Sequence, residues 1–257
     1  MLEKYVKKGV LLHSVASVGL KYVATVKNSK KHKIFNFQFA MKRASPEFGN
    51  IRVQNVGRGL PYPQIDGWRV IPAWSRGAAP WKQLSPFCIG HTKDTNFECF
   101  WQSHKVWDHV DTQEAYNWSW PYQKHLGDDG NPNEDWYKWH EALKNHKYPV
   151  RRPNGRAKPE YAWWNGEKLG VVEARKQIYI PELQKLYRAH PVYQTLLETV
   201  RSGQNIILVE PDGYPGGKDV DLDTLRAMQD QTELNGKYFP YGHGYVIALT
   251  ILEDLQK

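Results

Sequence analysis

The sequence predicts an α+β fold: one helix-rich domain over residues 1–257 with a small sheet. Three observations carry that expectation. Helical spacing of apolar residues runs through VVEARKQIYIPELQKLYRAHPVYQTLLETVRSG (169–203 region) and again through the closing YGHGYVIALTILEDL. Between them NIILVEPDG is a short apolar run ended by a turn, the pattern of a buried strand. Near the start, the first forty residues alternate as a hairpin does, with VKNSKKHKI as its basic turn.

Taken in order, residues 44–94 are rich in Gly, Pro and Arg (SPEFGN, NVGRGLPYP, WSRGAAPW) and predict a long irregular segment. A helix is expected from Asn96 to about residue 110. Residues 111–165 carry GDDGNPNED and YPVRRPNGRAKPEY among tryptophans and predict an insertion of helices and loops. In the 171–201 helix Pro181 marks a break or a first-turn position. DLDTLRAMQDQ adds a further helix.

Composition bounds the partners. No run approaches the roughly eighteen apolar residues of a membrane span, so no membrane association is expected. The start, MLEKYVKKGVLLHSVASVGL, has a basic head, but His13, Ser14, Ser17 and Lys21 interrupt its apolar part; it reads as the first structural element rather than an export signal. Cys88 and Cys99 are the two cysteines, which predicts a reduced, cytoplasmic protein. Lys and Arg total 35 against 27 Asp and Glu, a net +8 that suits a polyanionic partner as well as ordinary solubility. Eleven Trp and fifteen Tyr, many beside basic residues, suit stacking on flat charged ligands such as nucleotides. No stable protein partner and no cofactor are inferred.

The chemistry-bearing stretch is TNFECFWQSHKVW, residues 95–107. In a helix Glu98, Gln102 and Lys105 fall at i, i+4 and i+7, one polar stripe on an otherwise aromatic cylinder. The structural alternative for Glu98 is a capping box in which it reaches back to the Thr95 amide, worth about 1 kcal/mol. That alternative leaves Gln102 and Lys105 unexplained. Other motifs fail on spacing. GYPGGKD has Asp219 where a phosphate loop needs Ser or Thr. Asp219, Asp221 and Asp223 lack the glycine of a calcium loop, and HEALKNH puts its histidines too far apart to share a helix face. No metal site is expected.

ECFWQSHK resembles the E-[HY]-x-x-Q-x-x-K helix motif of the NADAR family, the YbiA-like N-glycosidases. Leu84-Ser85-Pro86-Phe87 is similar to that family's L-S-N-F turn, with Pro86 in place of Asn. LLETVRSGQNIILVEPDG resembles its L-L-x-T-G-x-x-x-L-V-E segment and sets Glu210 on the matching glutamate, and YGHGYVIALTIL resembles its terminal helix. The four occur in family order over residues 84–252. PGGKD stands where the family has W-G-x-G, and the 111–165 insertion is long, which implies a divergent branch and a different substrate.

The resemblance implies hydrolysis of an N-glycosidic bond at C1′ of a ribose-type sugar, with an oxocarbenium-like transition state. Glu98 is then the candidate carboxylate, Lys105 the group that holds its charge or protonates the departing base, and Gln102 the residue that fixes water or ribose hydroxyls. Ser85, Phe87 and Trp101 are candidate substrate contacts, with Glu210, Asp212 and His243 as supporting groups near the strand end and the last helix. Glu210 and Asp212 also read as a plain turn, and the glycines around His243 as room for close packing. Arg58 and Arg76 are candidate phosphate clamps in glycine-flanked loops, where solvation is the ordinary alternative. Lys30, Lys31 and Lys33, with Arg151, Arg152 and Arg156, form a candidate nucleic-acid track, and charge reversal of the three arginines is expected to lower DNA affinity without harming chemistry on a minimal substrate. The expected substrate is a modified or ADP-ribosylated base in DNA, as in base excision and possible antiviral defence. A free nucleotide or ADP-ribose derivative, and a non-catalytic binding module, are the alternatives. The expected pocket lies between the 84–87 turn, a 96–110 helix and the end of the 205–210 strand.

Overall fold

The computed structural model describes strand segments 12–18, 21–28 and 31–35, and residues 48–257 except 57–60, 94, 116–117, 156, 212–216, 235–236 and 239–240. The chain is mixed α and β and divides into two compact units, Met1–Glu47 and Phe48–Lys257. The first holds an antiparallel meander of β1 (Leu12–Val18), β2 (Lys21–Asn28) and β3 (Lys31–Phe35). Asn28 lies opposite Lys31, so the hairpin falls where the alternation predicts, and most of VKNSKKHKI is strand rather than turn.

In the second unit the segment expected to be irregular supplies two strands, β4 (Ile51–Asn55) and β5 (Trp68–Ile71). Each is too short to stand out among the glycines and prolines around it. The 95–107 stretch gives α1 (Phe97–Ser103) and then β6 (Lys105–Val106), β7 (His109–Val110), β8 (Gln113–Ala115), β9 (Trp118–Trp120) and β10 (Gln123–Lys124). The expected helix over 96–110 is therefore cut short. Ser103 Oγ turns back to the Phe100 carbonyl, His104 Nδ1 does the same, and Lys105–Val106 pairs with β11 (Tyr161–Trp164) instead of continuing the helix.

Between them α2 (Glu134–Lys144) lies in the insertion, and β12 (Glu167–Leu169) follows β11 in an antiparallel pair. Next come α3 (Val171–Ala174), a π-helical turn over Arg175–Tyr179, α4 (Ile180–Ala189) and α5 (Pro191–Arg201). Pro181 sits in the first turn of α4 and does not break the path. The break is at His190, whose ψ of 127° is the extended conformation that a following proline imposes. The chain ends with β13 (Asn205–Glu210), β14 (Lys218–Val220), α6 (Leu222–Gln229) and α7 (His243–Asp254).

The central sheet has the order β14-β4-β13-β5, with β13 parallel to both neighbours and β14 antiparallel to β4. A strand flanked on both sides must be apolar on both faces, and Ile206 to Glu210 are all buried. α7 is apolar all round, with His243 to Ile251 buried, and packs on the main core. The insertion has its own core, built from Val106, Trp107, Val110, Trp136, Trp139 and Leu143. Much of the tryptophan content is thus packing: Trp81, Trp107, Trp136 and Trp139 are buried. Asp221 caps α6 by accepting the Thr224 amide at 2.7 Å, which accounts for one member of the 219–223 acidic spacing. Among the described residues no helix is long and apolar enough to cross a membrane.

Buried histidines join these parts. His104 packs edge-on against His140 and Trp164, and burial, aided by His140, pushes its pKa down to about 3. His125, against Trp139, is pushed by burial down to about 4, with Asp135 opposing. Both stay neutral when folded but protonate near pH ~6.5 when unfolded, so the unfolded chain gains protons first as pH falls. Stability is complete above about pH 6.5 and drains toward each folded value at up to ~1.4 kcal/mol per pH unit per histidine. Urea unfolding should therefore show a loss of about 3–4 kcal/mol between pH 7 and pH 5, roughly halved in His125→Phe. A flat profile over that range would contradict the burial of these rings.

Candidate active site

Two buried carboxylates organise the second unit, one at each side of the 84–87 turn. The first is Glu98. Its backbone amide donates to the Pro86 carbonyl at 2.9 Å, fixing α1 against the turn. The capping-box alternative does not hold, because Asn96, not Thr95, is the N-cap: its side chain accepts the Cys99 amide at 3.0 Å. Thr95 instead meets Thr92 through their hydroxyls. Relieved of capping, the Glu98 side chain points into the protein at 5% exposure.

One oxygen of Glu98 does most of the bonding. Gln102 Nε2 donates to Oε1 at 2.8 Å, one helical turn along, and Arg151 Nε approaches the same Oε1 at 3.2 Å. Gln102 Oε1 is buried and has no hydrogen-bond partner among the described residues. A buried acceptor left without a donor costs about 1–3 kcal/mol, so this amide is set for a donor that a water or ligand would bring.

Lys105 completes the stripe from a different element. It stands at the start of β6, opposite Ala162, and not at i+7 of a helix. Its ammonium lies 5.2 Å from the centre of the Trp101 ring. Burial lowers its pKa to about 8; Glu98 pulls it up, while Arg151 and Arg152 push it down. Trp101 in turn packs on Tyr179, centroids 5.2 Å apart. Tyr179 closes the π-helical turn, which swings its ring onto both Trp101 and Phe97.

The second carboxylate, Glu210, ends β13 at 1% exposure. Its Oε2 accepts the Gly244 amide at 2.7 Å and lies 2.8 Å from His243 Nδ1. His243 Nε2 donates to the Ala73 carbonyl at 2.9 Å. Both ring nitrogens thus face oxygen atoms, the Glu210 carboxylate on one side and the Ala73 carbonyl on the other. Glu210 supplies the negative charge at the start of α7, whose own cap, Gly242, offers no side chain. The glycines around His243 make room for this group. A Cβ on Gly242 would fall 2.7 Å from the Glu210 carboxyl carbon, and one on Gly244 would fall 3.2 Å from Oε2.

The remaining candidates separate. Ser85 is buried in the turn, where its hydroxyl takes a long 3.4 Å bond from the Phe87 amide. Phe87 carries the Arg151 guanidinium over its ring at 5.0 Å. Arg76 is exposed on the turn after β5, and Arg152 is exposed beside Arg151. Lys31 and Lys33 lie on β3 of the first unit. Lys30, Arg58, Arg156 and Asp212 lie outside the described residues. Charge reversal at Arg151 would strip Glu98 of its partner, which corrects the expectation that the 151–158 run can be altered without touching the carboxylate.

The expected pocket with Glu98, Gln102 and Lys105 exposed on its floor is not what the chain forms, since Glu98 and Gln102 are both buried. A cleft of about 450 Å³ opens instead at the 84–87 turn and the N-cap of α1, with Phe87, Cys88, Lys93, Asn96, Lys147 and Tyr148 among its walls. Sequence reading missed Arg151 as the partner of Glu98 and Tyr179 as the support of Trp101. Neither is signalled locally, since each pair is brought together by tertiary structure. No protein-family model, no curated protein and no solved structure matches the chain.

Gly242→Ala should lower stability by about 1–3 kcal/mol, because the new methyl meets a fixed carboxyl group rather than a flexible chain end. Chemical denaturation measures this directly. An unchanged midpoint would mean that Glu210 does not approach the helix start as closely as described.

Proposed function

We propose that this chain hydrolyses the C1′–N glycosidic bond of a nucleobase, as a divergent NADAR-type enzyme acting on a modified or ADP-ribosylated base in DNA. The observation that supports it most is the Glu98 cluster: a buried carboxylate held on one oxygen by Gln102 and Arg151, beside a lysine of lowered pKa. A lysine of lowered pKa beside a buried carboxylate is an arrangement suited to acid–base chemistry. The ordered motifs ECFWQSHK, LSPF, NIILVE and YGHGY support the family and the bond.

In this reading Glu98 draws a proton from water and faces the positive charge that grows at C1′. Gln102, whose carbonyl oxygen awaits a donor, orients the water or a sugar hydroxyl. Lys105, as ammonium, protonates the departing base; an acid with a pKa of about 8 is well matched to that transfer near neutrality. Trp101 and Phe87 present flat faces next to these groups. A base inside a duplex would have to leave the stack to reach them.

A free nucleotide is the second reading, and the adjoining cleft favours it. Its volume of about 450 Å³ is that of a small-ligand site, and Lys93 and Lys147 suit phosphate.

Glu98→Gln keeps the shape and removes the charge. It should retain the fold and lose at least about two orders of magnitude in base release, roughly 3 kcal/mol of barrier. Undiminished turnover would mean that the carboxylate is misassigned. The rate of the wild type should fall above about pH 8, as the Lys105 ammonium loses its proton. A rate still rising through pH 9 would remove Lys105 from the acid role. Binding of substrate without any turnover would leave a non-catalytic module.

A further inference from the structure

Arg151 reaches Glu98 from a segment without regular structure, the connection from α2 to β11. That segment is also tied to the start of α1 where the Asn96 side chain donates to the Lys147 carbonyl at 2.9 Å. Four residues further on, the Arg151 side chain is 50% exposed although the carboxylate it meets is only 7% exposed. Its guanidinium also lies on the Phe87 ring, and Phe87 is a wall of the 450 Å³ cleft. One half-exposed cation therefore touches both a buried carboxylate and a wall residue of an open cleft.

The charges around it are unequal. Arg151 pairs with Glu98, Lys105 feels both that carboxylate and the charges of Arg151 and Arg152, and Lys93 and Lys147 stand on the cleft wall. The buried Gln102 carbonyl oxygen, without a donor among the described residues, is a second sign that a group is to be received here. Arg151 holds Glu98 through Nε on one carboxylate oxygen, not through both arms of its fork. Its planar fork prefers a bidentate phosphate where one is offered.

We propose that Arg151 is a displaceable guard of Glu98. In the unliganded chain it neutralises the carboxylate, and a phosphate group seated in the cleft draws the guanidinium away and frees Glu98. Arg151 is then a positioning residue that couples occupancy of the cleft to the carboxylate. The role rests on the proposed function only for its purpose; the binding equilibrium it describes can be measured without turnover.

Cys88 provides the readout. It is exposed on the cleft wall and Cys99 is buried, so a small aromatic disulfide reagent has one accessible thiol. Labelling is followed with inorganic phosphate, adenosine monophosphate and a twelve-nucleotide single strand as competitors, on chains whose folding is checked by circular dichroism. The guard predicts saturable protection of Cys88, at least about tenfold weaker in Arg151→Ala and partly restored in Arg151→Lys. It further predicts that Glu98→Gln binds the same anion about threefold more tightly or better, because phosphate no longer competes with the carboxylate. Protection by the strand with little by the monophosphate assigns the phosphate to nucleic acid, and the reverse assigns it to a free nucleotide. No protection by any of the three, equal protection in Arg151→Ala, or no tightening in Glu98→Gln overturns the proposal. Loss of base release with these binding effects intact would overturn the glycosidase reading alone.

Discussion

A carboxylate taken out of water must be given donors or opposite charge, at a cost of several kcal/mol if it is not. Among the described residues two are buried, Glu98 and Glu210, and much of the second unit follows from how each is satisfied. Glu210 at the end of β13 is met by the amide of Gly244 and by His243, so the all-apolar α7 has to begin over the sheet's central strand. Glu98 in the first turn of α1 is met by Gln102 and Arg151, so the connection from α2 to β11 has to return to α1. The 84–87 turn stands between them. Pro86 holds α1 through the Glu98 amide, and Leu84 accepts the hydroxyl of the buried Tyr187, a residue whose acidity the Glu210 charge lowers further.

The two carboxylates differ in what they leave over. Glu210 lies against His243 and the Gly244 amide, where Gly242 and Gly244 leave no room for a larger side chain. Its chemistry is that of a helix anchor. Glu98 has a half-exposed partner, a neighbouring amide oxygen without a donor, and a lysine of lowered pKa on the next strand. Packing alone would have favoured apolar side chains at those positions. The asymmetry is what separates a structural carboxylate from one suited to react.

Local pattern made part of this visible. The helical spacing of α5 and α7, the apolar run of β13 and the alternation of β2 and β3 are signals within one element, and each appears where expected. The stripe of Glu98 and Gln102 was equally legible, because i and i+4 adjacency needs only a helix. Lys105 reaches the same cluster although the helix stops at Ser103, which no spacing rule foresees. Arg151 read as part of a basic run, since charge pattern cannot tell a solvated cation from one folded back onto a carboxylate. β4 and β5 were hidden because their pairing with β13 is remote in sequence and their flanks are rich in Gly and Pro. The tryptophans suggested stacking on ligands, yet several of them fill the core of the insertion.

The central claim is that Glu98 directs water onto C1′. Hydrolysis in water enriched in oxygen-18, with plain DNA, base-modified DNA and nucleotides as substrates, tests it most directly. The account predicts a free base, a matching abasic site or free sugar carrying the label at C1′, and loss of both products in Glu98→Gln. Labelled oxygen on a base or phosphate instead, or release of unmodified base by the variant at the wild-type rate, would contradict it.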